Sequence, residues 1–226
     1  MGAVYSSGFV PRELRPHLDR SLASVQSLYA RFRRLCAEEW DNNAMFITRE
    51  QFQRCLDLST EDGHRHFSYF DRTRRGKASA TEVWGALALC CSDREEPKVS
   101  FVYSLVDLDG DKALNRVELT VLLRAVGAGV ARIKQIKAPT LAVVEEVVDK
   151  AFAQALATSD ELAAEKGLLD LYNFGMFLKA DDAIRRYLAS LEREASGDAE
   201  DLYFRGADVP RTSRGDAAAA TRRGDE

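Results

Sequence analysis

The sequence predicts an all-α protein built as two pairs of helix-loop-helix units and closed by a disordered C-terminal tail. Three observations predict it. From about Ser21 to Leu191 apolar residues recur at intervals of three and four, strand-like alternation is scarce, and only Pro97 and Pro139 interrupt, so this body reads as nearly all helix. Within it the order helix, polar loop, helix returns four times, which marks a repeat. Beyond residue 191 the chain becomes rich in Gly, Ala, Asp and Arg, too poor in large apolar side chains to offset its ordering entropy, with Tyr203 and Phe204 as its docking anchors. The expected boundaries are an N-terminal arm over 1–22, a first pair over 23–94, a second pair over 95–191 and the tail over 192–226.

Each unit is justified by its own residues. The clearest runs from Lys98 to Val126: Val99, Val102, Leu105 and Val106 line one helix, Leu119, Leu122, Leu123 and Val126 line another, and DLDGDKALNRVE, Asp107 to Glu118, joins them. Two helices flanking a twelve-residue loop of this kind make an EF-hand. Calcium is a hard cation that takes about six to eight oxygens, and the loop supplies them at alternating positions. Asp107, Asp109 and Asp111 hold positions one, three and five, Ala113 offers its carbonyl at seven, Asn115 at nine can hold a water, and Glu118 at twelve is the bidentate clamp. Leu114 at eight points into the core while its backbone joins the ribbon between paired loops. Magnesium, smaller and rigidly octahedral, fits such a cage less well. Position six is Lys112 where glycine is normal, so a side chain is forced to positive φ at a cost of about 1 kcal/mol and an ammonium lies near the ion.

The other loops are degenerate. DRTRRGKASATE, Asp71 to Glu82, keeps Gly76 at six, Ala78 at eight and Glu82 at twelve, but Thr73 and Arg75 stand at three and five, and a guanidinium there opposes a cation. LAAEKGLLDLYN, Leu162 to Asn173, keeps Gly167 and Leu169 but has Leu162, Ala164 and Lys166 where oxygen donors belong. WDNNAMFITREQ, Trp40 to Gln51, keeps Ile47 at eight and Gln51 at twelve with little oxygen density at its start. One ion per chain, in the third loop, is the expectation.

Lys and Arg number 32 against 36 Asp and Glu, and a net charge of −4 argues against a general nucleic-acid binder. No apolar run approaches the roughly 18 to 20 residues that cross a bilayer, and the start lacks a secretory core, so a cytoplasmic address is expected. Cys36, Cys55, Cys90 and Cys91 stand at no metal-ligand spacing and read as buried, reduced thiols. His64 and His66 flank Arg65 in what reads as a polar turn and His17 is isolated, so the histidines are expected as solvated surface groups without catalytic partners, and the chain as a non-enzyme with no catalytic residues. The opening MGAVYS matches the N-myristoylation pattern at Gly2 with Ser6 following. One acyl chain binds membranes marginally, with a constant of about 10⁴ M⁻¹. A second signal is available: residues 1–36 carry Arg12, Arg15, Arg20, Arg31, Arg33 and Arg34 against Glu13 and Asp19, a net of +4.

Three runs, FDRTRRGKASATEVWGALALCC, SDREEPKVSFVYSLVDLDGD and FLKADDAIRRYL, resemble the neuronal calcium sensor, calcineurin B and calaxin-like group. The resemblance covers most of the body, is strongest across the second and third loops, and meets a long insertion at Gly127 to Ala157. It implies that Ca²⁺ opens a lobe and exposes an apolar groove for a target protein helix, with peripheral membrane contact if Gly2 is acylated. Two alternatives to a calcium-binding adaptor stay open: a regulatory subunit of a phosphatase or kinase, and a cytoskeletal or axonemal protein using degenerate hands as a helix clamp, which would place the chain on cytoskeletal or flagellar structures.

Overall fold

A computed structural model of the chain describes residues 10–38, 44–91, 93–107, 110–158 and 165–180. The tail, Gly2, Asp109 and the first residues of loops one and four lie outside them. The described residues are mostly helical: α1 (Arg15–Leu18), α2 (Leu22–Glu38), α3 (Arg49–Leu56), α4 (Thr60–Phe67), α5 (Ala80–Cys90), α6 (Glu95–Ser104), α7 (Arg116–Lys134), α8 (Leu141–Ala157) and α9 (Leu171–Ala180). Four strands of three residues each modify the expectation of an almost purely helical body: β1 (Phe46–Thr48), β2 (Lys77–Ser79), β3 (Ala113–Asn115) and β4 (Leu168–Asp170).

Each strand runs straight into a helix, and the last strand residue is the reason. Thr48, Ser79, Asn115 and Asp170 turn their side-chain oxygens onto backbone N–H groups of the first helical turn, at 3.1, 3.3, 3.0 and 2.7 Å for Gln51, Glu82, Glu118 and Asn173. An orphan donor is satisfied in each case. At two starts the cap is reciprocal, with Gln51 accepting from the Thr48 N–H and Glu118 from the Asn115 N–H, both at 2.9 Å.

The strands pair antiparallel, β1 with β2 and β3 with β4. Their registers set Ile47 opposite Ala78 and Leu114 opposite Leu169. All four central side chains are buried, so each ribbon points its middle residue into the helices behind it.

One apolar core runs from Leu14 to Phe177 through both halves. In the first half Phe32 and Tyr29 of α2 meet Trp84 of α5 at ring separations of 5.9 and 6.1 Å, and Phe52 of α3 meets Phe67 of α4 at 5.4 Å. Each of the fully buried rings, Phe32, Trp84, Phe52 and Phe67, contributes on the order of 2 to 3 kcal/mol. The halves are joined chiefly by α5 against α7. Two glycines set that spacing. A Cβ at Gly129 would lie 2.3 Å from the Glu82 carbonyl oxygen, and one at Gly85 would lie 2.6 Å from a Val126 methyl. The stretch expected as an insertion is the far end of α7, a short link and α8, whose Val144, Val147, Val148, Ala151, Phe152 and Ala155 are buried. Lys98, buried in α6, donates from Nζ to the Leu89 carbonyl at 3.2 Å and to that of Cys91, holding the end of α5. Among the described residues no helix is long and apolar enough to cross a membrane.

Candidate functional site

The loop between α6 and α7 is shaped by its own carboxylates. Asp107 accepts from the Gly110 N–H at 3.0 Å and Asp111 from the Ala113 N–H at 2.8 Å. Glu118 stands in the first turn of α7, held by its reciprocal cap with Asn115. Gly110 and Lys112 both take left-handed backbone, φ 74° and 62°. The strain expected at Lys112 is therefore present. The same two places in the loop between α4 and α5, Arg74 and Gly76, are left-handed too, at φ 54° and 73°. The two loops are left-handed at the same two places and differ in which of them has glycine.

Tyr103, at the end of α6, reports the charge of this region. Its hydroxyl donates to the Leu169 carbonyl at 2.6 Å. Burial holds the phenol's pKa above the ordinary tyrosine value, and the negative charges of Asp107, Asp170, Asp111 and Glu118 add to that. Sequence spacing did not single out Tyr103 or Asp170. The available signal was that Asp170 is position nine of the fourth loop and that Tyr103 lies one helical turn before Asp107.

The donors here are carboxylates and carbonyls, suited to a hard cation and poorly suited to zinc or copper. Asp107, Asp111 and Glu118 are each anchored by a backbone amide, and Ala113 lies in β3. Among the described residues no three His, Cys, Asp or Glu side chains are close enough together to hold an ion by themselves.

In the second loop the oxygens are engaged by the protein. Both Asp71 carboxylate oxygens accept backbone N–H groups, from Arg75 at 3.0 Å and Gly76 at 2.7 Å, and Thr73 donates to one of them at 3.2 Å. Glu82, at the clamp position, is buried and ion-paired with Arg132 from the last turn of α7. Arg132 also donates to the Phe70 carbonyl at 2.6 Å, so one guanidinium ties both ends of the loop. Burial pushes the Glu82 carboxyl up to about 7, against the opposing pull of Arg132.

The histidine expectation needs correction. His64 is exposed, but residues 60–67 form α4 and not a turn, because Ser59 caps the Asp62 N–H at 3.1 Å. That helix carries His66 inward beside Phe67, where its Nδ1 lies 2.9 Å from Nε2 of a buried His17. The cysteines are free thiols, with Cys36, Cys55 and Cys91 buried and Cys90 half-buried. Of the six N-terminal arginines, Arg31 is ion-paired with Asp57 at 2.8 Å, whereas Arg12, Arg15, Arg33 and Arg34 are exposed.

No protein-family model matches the chain, and no curated protein matches it as a relative. The functional reading therefore rests on residue chemistry and geometry.

Proposed function

We propose that the chain is an EF-hand protein with four hands in two pairs, binds one Ca²⁺ in the loop Asp107 to Glu118, and acts as a sensor or adaptor by engaging a target helix and not by catalysis. The observation that carries this is a coincidence of two independent frames. Counted from the aspartates and clamp glutamate, Leu114 and Leu169 are both position eight of their loops, and they face each other across the β3–β4 ribbon. Ile47 and Ala78, counted the same way, face each other in the other ribbon. Asp107, Asp109, Asp111, the Ala113 carbonyl and Glu118 are the proposed ligands. Val117 and Val121 on α7, with Tyr172 and Met176 on α9, are exposed apolar side chains on the helices that leave the third and fourth loops, and they are the proposed contacts for the target. Acylated at Gly2, the protein would add reversible membrane contact.

A second reading, a calcium-independent regulatory or structural subunit, is favoured by Arg132. With Glu82 and Phe70 tied by a guanidinium, the first pair keeps one arrangement whether or not calcium is present, as a permanent clamp would.

Calorimetric calcium titration of the full chain tests the primary reading. One strong site is expected, lost in Glu118→Gln and nearly unchanged in Glu82→Gln. Two or more strong sites, or unchanged binding after Glu118→Gln, would sink it. Pull-down of target with and without calcium separates the two readings.

A further inference from the structure

The arm over residues 10–20 packs Leu14, Val10 and Leu18 on the core. Pro11, Leu14 and His17 are its buried residues, and four-residue α1 has no stability of its own. His17 makes its buried polar contact with the body, and Glu13 accepts from the Tyr69 hydroxyl at 3.5 Å beside it. Its ring crosses that of His66 at 73° with centroids 5.0 Å apart, and the facing nitrogens are 2.9 Å apart.

A single proton lies between those nitrogens. The Nδ1 of His17 is buried without a hydrogen-bond partner. The tautomer that leaves the smaller penalty places hydrogen on His17 Nε2, donating to His66 Nδ1, because a bare ring nitrogen is cheaper to bury than an unpaired N–H. A further proton then has no harmless place. On His66 Nδ1 it either removes the acceptor or drives the His17 hydrogen onto Nδ1 as a buried, unpaired donor, and on His17 Nδ1 it creates a charged one.

We infer that His17 and His66 form an acid-released latch, holding the N-terminal arm against α4 at neutral pH and freeing it when the pair gains a proton. The charged neighbours do not cancel this. Arg20 opposes a proton on His17, while Asp62 and Glu13 favour and Arg65 opposes one on His66. Helix α5 also packs on α1, but its carboxylate Glu82 is engaged by Arg132. Burial dominates at both rings, taking His17 down to about 4 and lowering His66 as well. With an ordinary value once released, His17 alone weakens docking about 30-fold between pH 7.5 and 5.

The test uses the full chain, whose three histidines make ring assignment by single replacement simple. Ring NMR should show His17 remaining neutral well below the ordinary histidine range, down to about pH 4. Amide exchange, corrected for intrinsic rates, should show protection of residues 14–18 falling about 30-fold at pH 5 while α5 keeps its protection. In His17→Phe, which keeps an apolar ring in place, the arm should stay docked at both pH values. The latch is overturned if His17 titrates in the ordinary histidine range, if acid leaves residues 14–18 protected, or if the acid loss persists in His17→Phe. Should that variant fail to fold, the wild-type ring titration and exchange still decide.

Discussion

Lys112 shows how one residue can act on two quantities. Its left-handed backbone is strained with or without an ion, so strain relief alone does not tighten binding, whereas its ammonium repels a cation only when one arrives. Lys112→Gly and Lys112→Gln should therefore both tighten calcium, by up to about 1 kcal/mol or fivefold, in calorimetry. They should differ in calcium-free urea denaturation. Glycine relieves strain but frees the unfolded chain, leaving stability within about 0.5 kcal/mol of wild type, and glutamine keeps the strain. If Lys112→Gln binds no tighter while Lys112→Gly does, backbone geometry and not charge limits affinity.

At the scale of elements, the spacing of α5 and α7 depends on a missing side chain. Gly129→Ala has nowhere to go, because backbone oxygen lies in its path, and it should destabilise by about 1 to 3 kcal/mol. Gly175 on α9 is the contrast: a Cβ there meets nothing within 4 Å, so Gly175→Ala should stabilise by about 0.5 to 1 kcal/mol through helix propensity. Denaturation midpoints at equal slope measure both. A neutral Gly129→Ala would mean that α7 can move away from α5 at little cost.

At the scale of the molecule, α7 begins at the proposed calcium clamp and ends at the guanidinium that closes the second loop. Arg132→Gln leaves Glu82 buried without its partner, and the expected loss is about 3 kcal/mol. Adding Glu82→Gln should recover part of it, so the double-mutant cycle should show a coupling of about 1 kcal/mol or more; additive losses would deny the pair any specific role. Two buried groups also oppose each other in pH dependence. Glu82 is raised, so the folded state holds its proton more tightly and stability grows as pH falls from about 7 toward 4.5. His17 is lowered, so stability falls as pH drops from about 6.5 toward 4. Each effect is on the order of 3 kcal/mol, and the two nearly cancel in the wild type. Denaturation across pH 4 to 7.5 should uncover an acid-stabilised protein in His17→Phe and an acid-destabilised one in Glu82→Gln. Unchanged pH slopes in both variants would refute the opposition.

Local chemistry made much of this protein legible in its sequence. Leu114 at position eight is buried because the short strand it joins turns its middle side chain inward. Lys112 is left-handed because its loop turns there whichever residue stands in it. These are interactions between residues a few places apart, which order and spacing can specify. Arg132 with Glu82 and His17 with His66 lie 50 and 49 positions apart; in the sequence Glu82 reads only as position twelve of its loop and the histidines as solvated surface groups. Only the tertiary structure decided otherwise. Burial removes the water that would have satisfied these groups, and packing α7 on α5 and the arm on α4 supplies the partner that makes burial tolerable.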